Sequence, residues 1–175
     1  MTIRVAYRYC RDAIKSGDLL LWTHPSWSTW KDIKIQIVRL WQSMKYGKEM
    51  GKYTHAGIAL VGPLGRVWVI ESVSPLIRMV PISNLLPASW CPVDSHWDSQ
   101  TTEWLAPLIG TGKYSEVEAM AAAAGLDETA GSWECAKLYR LALLQAGRNF
   151  DCLSVPSALA IEAVKDGHEI TLMEC

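Results

Sequence analysis

The chain has 175 residues, 50% of them hydrophobic and 20% charged, so it can bury a sizeable core and is not a disordered segment. Lys and Arg total 17 against 18 Asp and Glu, which argues against a nucleic-acid-binding protein. The sequence shows neither an apolar run of the roughly 20 residues that span a bilayer nor a secretory signal pattern. We therefore expect one cytoplasmic domain over residues 1–175 with its core at 15–165, unless a phage or a dedicated secretion system delivers the protein.

Strand-like segments dominate the N-terminal half. They are rich in apolar and β-branched residues, are bounded by turn residues, and comprise 18–22, 53–61, 66–72 and 77–82. The turn residues Gly62–Gly65 predict a β-hairpin between the second and third of these strands, and Pro81 favours an edge position for the fourth. Between the first two strands, an apolar repeat from Trp30 to Met44 predicts an amphipathic helix.

Helical patterns dominate the C-terminal half. They predict helices at 102–109, 115–124, 132–146 and 156–165. The third is the most regular, with Ser132 as an N-cap candidate and Gly147 at the position of a C-terminal cap. The intervening segment 84–102 is predicted to be a loop with a short strand at 90–93. Strands in the first half and helices in the second indicate an α+β fold.

The five cysteines have irregular spacing, which predicts neither a disulfide framework nor a zinc site, and we expect no metal and no cofactor. Cys135 falls in the first turn of the predicted helix 132–146, where the helix dipole and unpaired N–H groups favour a thiolate. Its own N–H is then a candidate donor to an oxyanion. The position alone also fits a small buried side chain, and the neighbouring Glu134 disfavours a second negative charge.

His55 and Glu71 lie on the two strands of the predicted hairpin. If the chain turns at Pro63–Leu64, their side chains stand almost opposite each other on adjacent strands. A buried carboxylate needs a partner, and an imidazole is a suitable one. Each residue by itself fits a structural role, but together with Cys135 they predict a nucleophile, a general base and an orienting carboxylate.

Four motifs follow one another along the chain: Gly17-Asp-Leu-Leu-Leu, Tyr53-Thr-His-Ala-Gly-Ile, Val69-Ile-Glu-Ser and Trp133-Glu-Cys-Ala-Lys-Leu. In this order the chain resembles the circularly permuted papain-like cysteine hydrolases of the NlpC-type superfamily, which include YiiX-like proteins and lecithin–retinol acyltransferases. The resemblance covers about residues 15–160 and implies an antiparallel sheet packed against the helix that bears the cysteine.

The resemblance also implies a role for individual residues. Cys135 is expected to be the nucleophile, His55 the general base and Glu71 the residue that orients His55. Tyr53 and Trp133 are expected to line the substrate site.

Three functions follow as hypotheses. The first is a hydrolase that cleaves an amide, ester or thioester of a peptide or acyl conjugate, such as a cell-wall peptide, through an acyl-enzyme on Cys135. The second is a lipid acyltransferase or thioesterase at a membrane surface, indicated by the basic face of the predicted helix at Lys31, Lys34 and Arg39. An amphipathic helix packed on the sheet, with a solvated cationic face, is the favoured explanation of those three residues. The third is a non-catalytic binding module that uses the tryptophans of residues 22–41 as a ligand platform.

Overall fold

The computed structural model describes residues 3–23, 43–48, 50–115, 133–165 and 167–175. Its strands are β1 Ile3–Ala6, β2 Leu19–Thr23, β3 Tyr53–Val61, β4 Val67–Val73, β5 Leu76–Pro81, β6 Ala88–Cys91 and β7 Thr171–Glu174. Its helices are α1 Tyr7–Cys10, α2 Ser99–Leu105, α3 Cys135–Gln145 and α4 Pro156–Val164. The strands form one seven-stranded sheet in the order β1-β7-β6-β2-β3-β4-β5.

The sheet confirms the α+β class and the predicted hairpin. β3 and β4 pair in antiparallel fashion up to Val61 and Val67, and β5 lies at an edge of the sheet and ends at Pro81. The expectation of a wholly antiparallel sheet is wrong at the other edge, where β1 and β7 pair in parallel. These two strands have four residues each, which is too short for a readable alternation of apolar and polar residues.

The structure corrects the start of the helix that bears Cys135. α3 begins at Cys135, and its N-cap is Glu134 rather than Ser132. The Glu134 carboxylate accepts hydrogen bonds from the backbone N–H groups of Ala136 and Lys137. A glutamate therefore performs the capping that Ser, Thr, Asp or Asn performs in most helices. The predicted end is confirmed, since Gly147 follows the helix with a φ of +74°.

The other helix predictions have mixed outcomes. α2 starts earlier than expected because Asp98 caps it, accepting from the N–H of Thr101 at 2.8 Å. It continues as 3-10 helix through Ala106–Leu108, before Gly110. α4 begins at Pro156 as predicted. Of the predicted helix 115–124 only residue 115 is described, and it is not helical; of the predicted helix 30–44 only residues 43 and 44 are described, and both are helical.

Both faces of the sheet are buried. α3 and α4 cover one face, where their apolar side chains pack against Leu19 and Leu21. Leu20 points to the opposite face, where it joins a second cluster with Cys10 of α1. A strand buried on both faces has no polar side, which explains why β2 reads as a continuous apolar run. Within the described ranges, no helix has the length and apolar character needed to cross a bilayer.

Asp18 ties β2 to β6 and the segment after it. Its buried carboxylate accepts hydrogen bonds from the N–H of Lys15 at 2.8 Å, the indole of Trp90 at 2.7 Å and the N–H of Val93 at 3.1 Å. Burial raises the pKa of Asp18, and these hydrogen bonds act against that rise. Asp18 is therefore a structural carboxylate that satisfies several donors at the start of β2.

We predict that Asp18→Ala lowers the free energy of unfolding by about 3 kcal/mol, because each buried donor left without an acceptor costs about 1–3 kcal/mol. Urea unfolding followed by tryptophan fluorescence measures the change. Asp12→Ala, at an exposed aspartate, serves as the control and is expected to have little effect. Equal stability of the two variants would contradict this role of Asp18.

Candidate active site

His55 and Glu71 form a hydrogen-bonded pair. His55 Nε2 lies 2.5 Å from Glu71 Oε2. The carboxylate is 2% exposed, whereas the imidazole is 24% exposed. The ring of Trp22 packs on the imidazole with its centroid 5.5 Å away. The pair thus has a buried acidic end and an end that solvent reaches.

The geometry of the hairpin accounts for this pair. β3 and β4 are paired from Val61–Val67 to Ile58–Ile70, which centres the turn on Leu64. Continuing that register places Glu71 across from Gly57, so His55 reaches it diagonally on the same face of the sheet. A Cβ at Gly57 would lie 2.9 Å from Val69 Cγ1 and 3.1 Å from the Trp22 ring, so the glycine allows Trp22 to pack close to the strand.

The second oxygen of Glu71 binds Arg78 on β5. Nε and Nη2 of Arg78 lie 2.8 Å and 2.6 Å from Glu71 Oε1. Burial acts to raise the pKa of the Glu71 carboxyl, but the hydrogen bond and charge of His55, followed by those of Arg78, outweigh it and hold that pKa below its ordinary value. Glu71 is therefore an ionised carboxylate between two basic side chains.

Cys135 lies at the first position of α3, where its thiol meets β3. The backbone N–H of Ala56, the residue after His55, acts on the sulfur and lowers the pKa of the thiol. The charge of Glu71 also acts on the sulfur, so the thiol lies in the same region as the His55–Glu71 pair. Ser72, next to Glu71 on β4, donates to the carbonyl of Trp133 at 3.0 Å and so fixes the segment that leads into α3.

The environment of Cys135 favours the neutral thiol. Burial raises its pKa far above the ordinary value, and the charge of Glu134 adds to the rise, while the N–H groups of Ala56 and Ala136 oppose it. The residue is 7% exposed. Burial thus acts against the thiolate that the start of a helix favours, and the carboxylate of Glu134 adds to this effect because it already occupies the positive end of α3.

Tyr53 and Trp133 have different surroundings. Tyr53 is buried in the main core cluster, and its carbonyl accepts a hydrogen bond from Ser157 at 3.3 Å. Trp133 is half-buried and packs edge-on against Trp104 with the ring centroids 6.2 Å apart. Trp133 thus has a partly accessible ring just before Cys135, whereas the ring of Tyr53 packs in the protein interior. Their roles in substrate binding stay predictions.

Two contacts of the site were not predicted from the sequence, namely those of Arg78 and Trp22. Arg78 could have been found, because Glu71 and Arg78 are equidistant from the turn at Ser74–Pro75 and do pair across β4 and β5. Trp22 pairs with His55 across β2 and β3. Nothing in the sequence specifies that register, because β2 and β3 are not joined by a tight turn.

We predict that Glu71→Gln destabilises the protein at neutral pH and that this difference shrinks as the pH falls. Since the pKa of Glu71 is lower in the folded protein than in the unfolded chain, its contribution is present above the unfolded pKa of about 4.3 and is lost as the pH falls through the folded value. Urea midpoints between pH 7 and pH 3 measure the effect. Glu103→Gln, at an exposed glutamate of α2, is the control, and an equally pH-dependent difference there would contradict the prediction.

We also predict slow alkylation of Cys135 by iodoacetamide at pH 7, accelerating about tenfold per pH unit toward pH 9, because the thiolate is the reactive form. The raised pKa keeps the thiol protonated over this range. Peptide mass spectrometry separates Cys135 from the exposed Cys175, which serves as the internal reference. If the alkylation rate of Cys135 instead stops rising near neutral pH, the thiol is already ionised there and the prediction is contradicted.

Comparison with known proteins assigns no family to this geometry. No protein-family model matches the chain, and no curated protein is significantly similar to it in sequence. Among the described side chains, no group of three or more His, Cys, Asp or Glu is arranged to hold a metal ion. Any function for this chain is therefore argued from the side chains of the site themselves.

Proposed function

We propose that this protein is a cysteine hydrolase that cleaves an amide, ester or thioester bond through an acyl-enzyme on Cys135. The observation that supports it most is the 2.5 Å hydrogen bond between His55 and Glu71, together with a thiol at Cys135 on which the charge of Glu71 acts. A carboxylate that fixes an imidazole beside a nucleophile is the arrangement used in covalent acyl transfer.

We assign different roles to the two ring nitrogens of His55 on the basis of its hydrogen bond to Glu71. Nε2 is held by the carboxylate, so Nδ1 is the nitrogen for proton transfer with the thiol. In the first step Cys135 Sγ attacks the substrate carbonyl carbon, the thiol proton passes to Nδ1, and the carbonyl π electrons move onto the oxygen. When the tetrahedral intermediate collapses, the leaving amine, alcohol or thiol takes that proton.

Water completes the reaction. The collapse leaves the acyl group bound to Cys135 as a thioester, and water attacks its carbonyl carbon while His55 accepts a proton from the water. The bond between that carbon and Sγ then breaks, and the Cys135 thiolate recovers the proton from the imidazolium. The ionised Glu71 stabilises the imidazolium in both steps and keeps the ring in one orientation. These roles need Glu71 to remain charged, and its contacts with His55 and Arg78 favour the charged form.

The raised pKa of Cys135 determines which variant of cysteine chemistry we propose. Because the thiol is neutral in these surroundings, the proton transfers to His55 during attack, as in general-base catalysis, and no thiolate–imidazolium pair exists beforehand. Glu134 occupies the N–H groups of Ala136 and Lys137. The N–H of Cys135 itself is therefore the helix donor that we assign to the oxyanion.

One observation favours a second function, a non-catalytic binding module. A cysteine that is 7% exposed and has a raised pKa is also what a structural thiol would show. In that case the His55–Glu71–Arg78 contacts only satisfy a buried carboxylate. The acyltransferase hypothesis depends on the basic residues of 30–44, which lie outside the described part of the chain, and no described contact favours it.

We predict that Cys135→Ala lowers the turnover of a cleaved substrate by at least about 10³-fold, because the covalent step is lost. The assay screens activated acetyl esters, acyl thioesters and peptide amides, and intact mass spectrometry followed by peptide mapping locates the trapped acyl group. Cys152→Ala, which removes another free cysteine, is the matched control and should retain the wild-type rate.

The same screen separates the two functions. An acyl adduct on Cys135 that forms and then disappears supports the hydrolase. If the folded protein forms no such adduct with any of the three substrate classes, or if Cys135→Ala turns substrate over at the wild-type rate, the hydrolase proposal is wrong and the binding module is favoured.

A further inference from the structure

The Glu71 carboxylate is divided between two partners. Arg78 lies directly across from Glu71 in the pairing of β4 and β5, and its Nε and Nη2 both contact Oε1, at 2.8 Å and 2.6 Å. The other oxygen, Oε2, is 2.5 Å from His55 Nε2. Each oxygen therefore has its own partner, and the partners come from the two strands on either side of β4.

We propose that Arg78 is a positioning residue of the active site: by holding Oε1 of Glu71, it sets the plane of the carboxylate and directs Oε2 to His55 Nε2. This inference rests on the proposed function, since fixing the imidazole matters only if His55 transfers a proton. Arg78 acts through Glu71 and is not assigned a contact with substrate.

The terminal torsion of a glutamate explains why a third residue is needed. Rotation about that torsion is broad and roughly two-fold, so a carboxylate held at one oxygen alone can turn and weaken its bond to the imidazole. Two N–H groups of one rigid guanidinium on Oε1 restrict the rotation. A lysine at the same place supplies the charge as a single ammonium and not the planar fork.

Charge gives Arg78 a second effect on the same carboxylate. Glu71 is 2% exposed while Arg78 is 49% exposed, so the arginine offsets the charge of Glu71 and keeps much of its own hydration. The groups that act on Glu71 are His55 from β3 and Arg78 from β5, and the Cys135 thiol at the start of α3 lies within the influence of its charge. Without the guanidinium, Glu71 and His55 remain alone in a largely buried site.

Three variants test the proposal: Arg78→Gln, Arg78→Lys and the control Arg66→Gln. Arg66 is exposed, contacts the ring of Trp68, and precedes Glu71 by five residues, roughly 16 Å along the strand. The Gln variants therefore remove the same charge either at the carboxylate or away from it. Carboxyl carbon-13 NMR follows the titration of Glu71, and steady-state kinetics across pH follows the reaction.

We expect Arg78→Gln to raise the pKa of Glu71, since one of the groups that lower it is removed. We also expect kcat to fall about tenfold with little change in KM, because the misplaced group acts on the chemical step. The pH–rate profile should change in the same variant. Arg78→Lys should restore the Glu71 titration more fully than kcat, and Arg66→Gln should change neither.

Two results overturn the proposal. One is an unchanged Glu71 titration in Arg78→Gln, or a change no larger than in Arg66→Gln. The other is an altered Glu71 titration with wild-type kcat and pH profile. That result would mean that Arg78 offsets the charge of Glu71 but does not position its carboxylate. The absence of a Cys135 acyl-enzyme, by contrast, is a failure of the proposed function itself. The NMR titration does not depend on turnover, so the two failures are distinguishable.

Discussion

The site depends on the place where β3 and β4 stop pairing. Their ladder ends at Ile58 and Ile70, although β3 continues along β2 to Tyr53 and β4 continues along β5 to Val73. A backbone donor in such a gap has no partner on the neighbouring strand, and the N–H of Ala56 acts instead on the sulfur of Cys135, where it lowers the pKa of the thiol. The first residue of α3 therefore lies close to β3 at the point where the β3–β4 ladder has ended.

Two carboxylates flank the thiol and do different things. Glu134 caps α3 through the N–H groups of Ala136 and Lys137. Its carboxylate therefore already places a negative charge at the positive end of the helix, which disfavours a second negative charge on the sulfur. Glu71 binds His55 and Arg78. Both charges raise the pKa of Cys135. In the proposed hydrolase the imidazole therefore has to accept the thiol proton, and the contacts that hold the imidazole would decide the reactivity of the thiol.

Local patterns predicted much of this fold because they act over short distances. The turn residues between β3 and β4 are sufficient to bring His55 near Glu71, and Gly147 marks the end of α3 because a glycine adopts its positive φ without strain. The start of α3 was less predictable, since a glutamate is an uncommon cap and its role depends on the carboxylate folding back onto the helix. β1 and β7 could not be predicted because their parallel pairing joins opposite ends of the described chain.

The sequence by itself determined the order of β2 to β5 and of α2 to α4, the hairpin that pairs an imidazole with a carboxylate, and the place of a cysteine at the start of a helix. Each follows from turn chemistry or from a residue's position within one element. Only the tertiary structure decided that the sulfur meets the backbone of Ala56, that burial keeps the thiol neutral, and that Arg78 shares Glu71 with His55. Those outcomes depend on desolvation and on contacts between segments far apart in the chain, which no local pattern specifies.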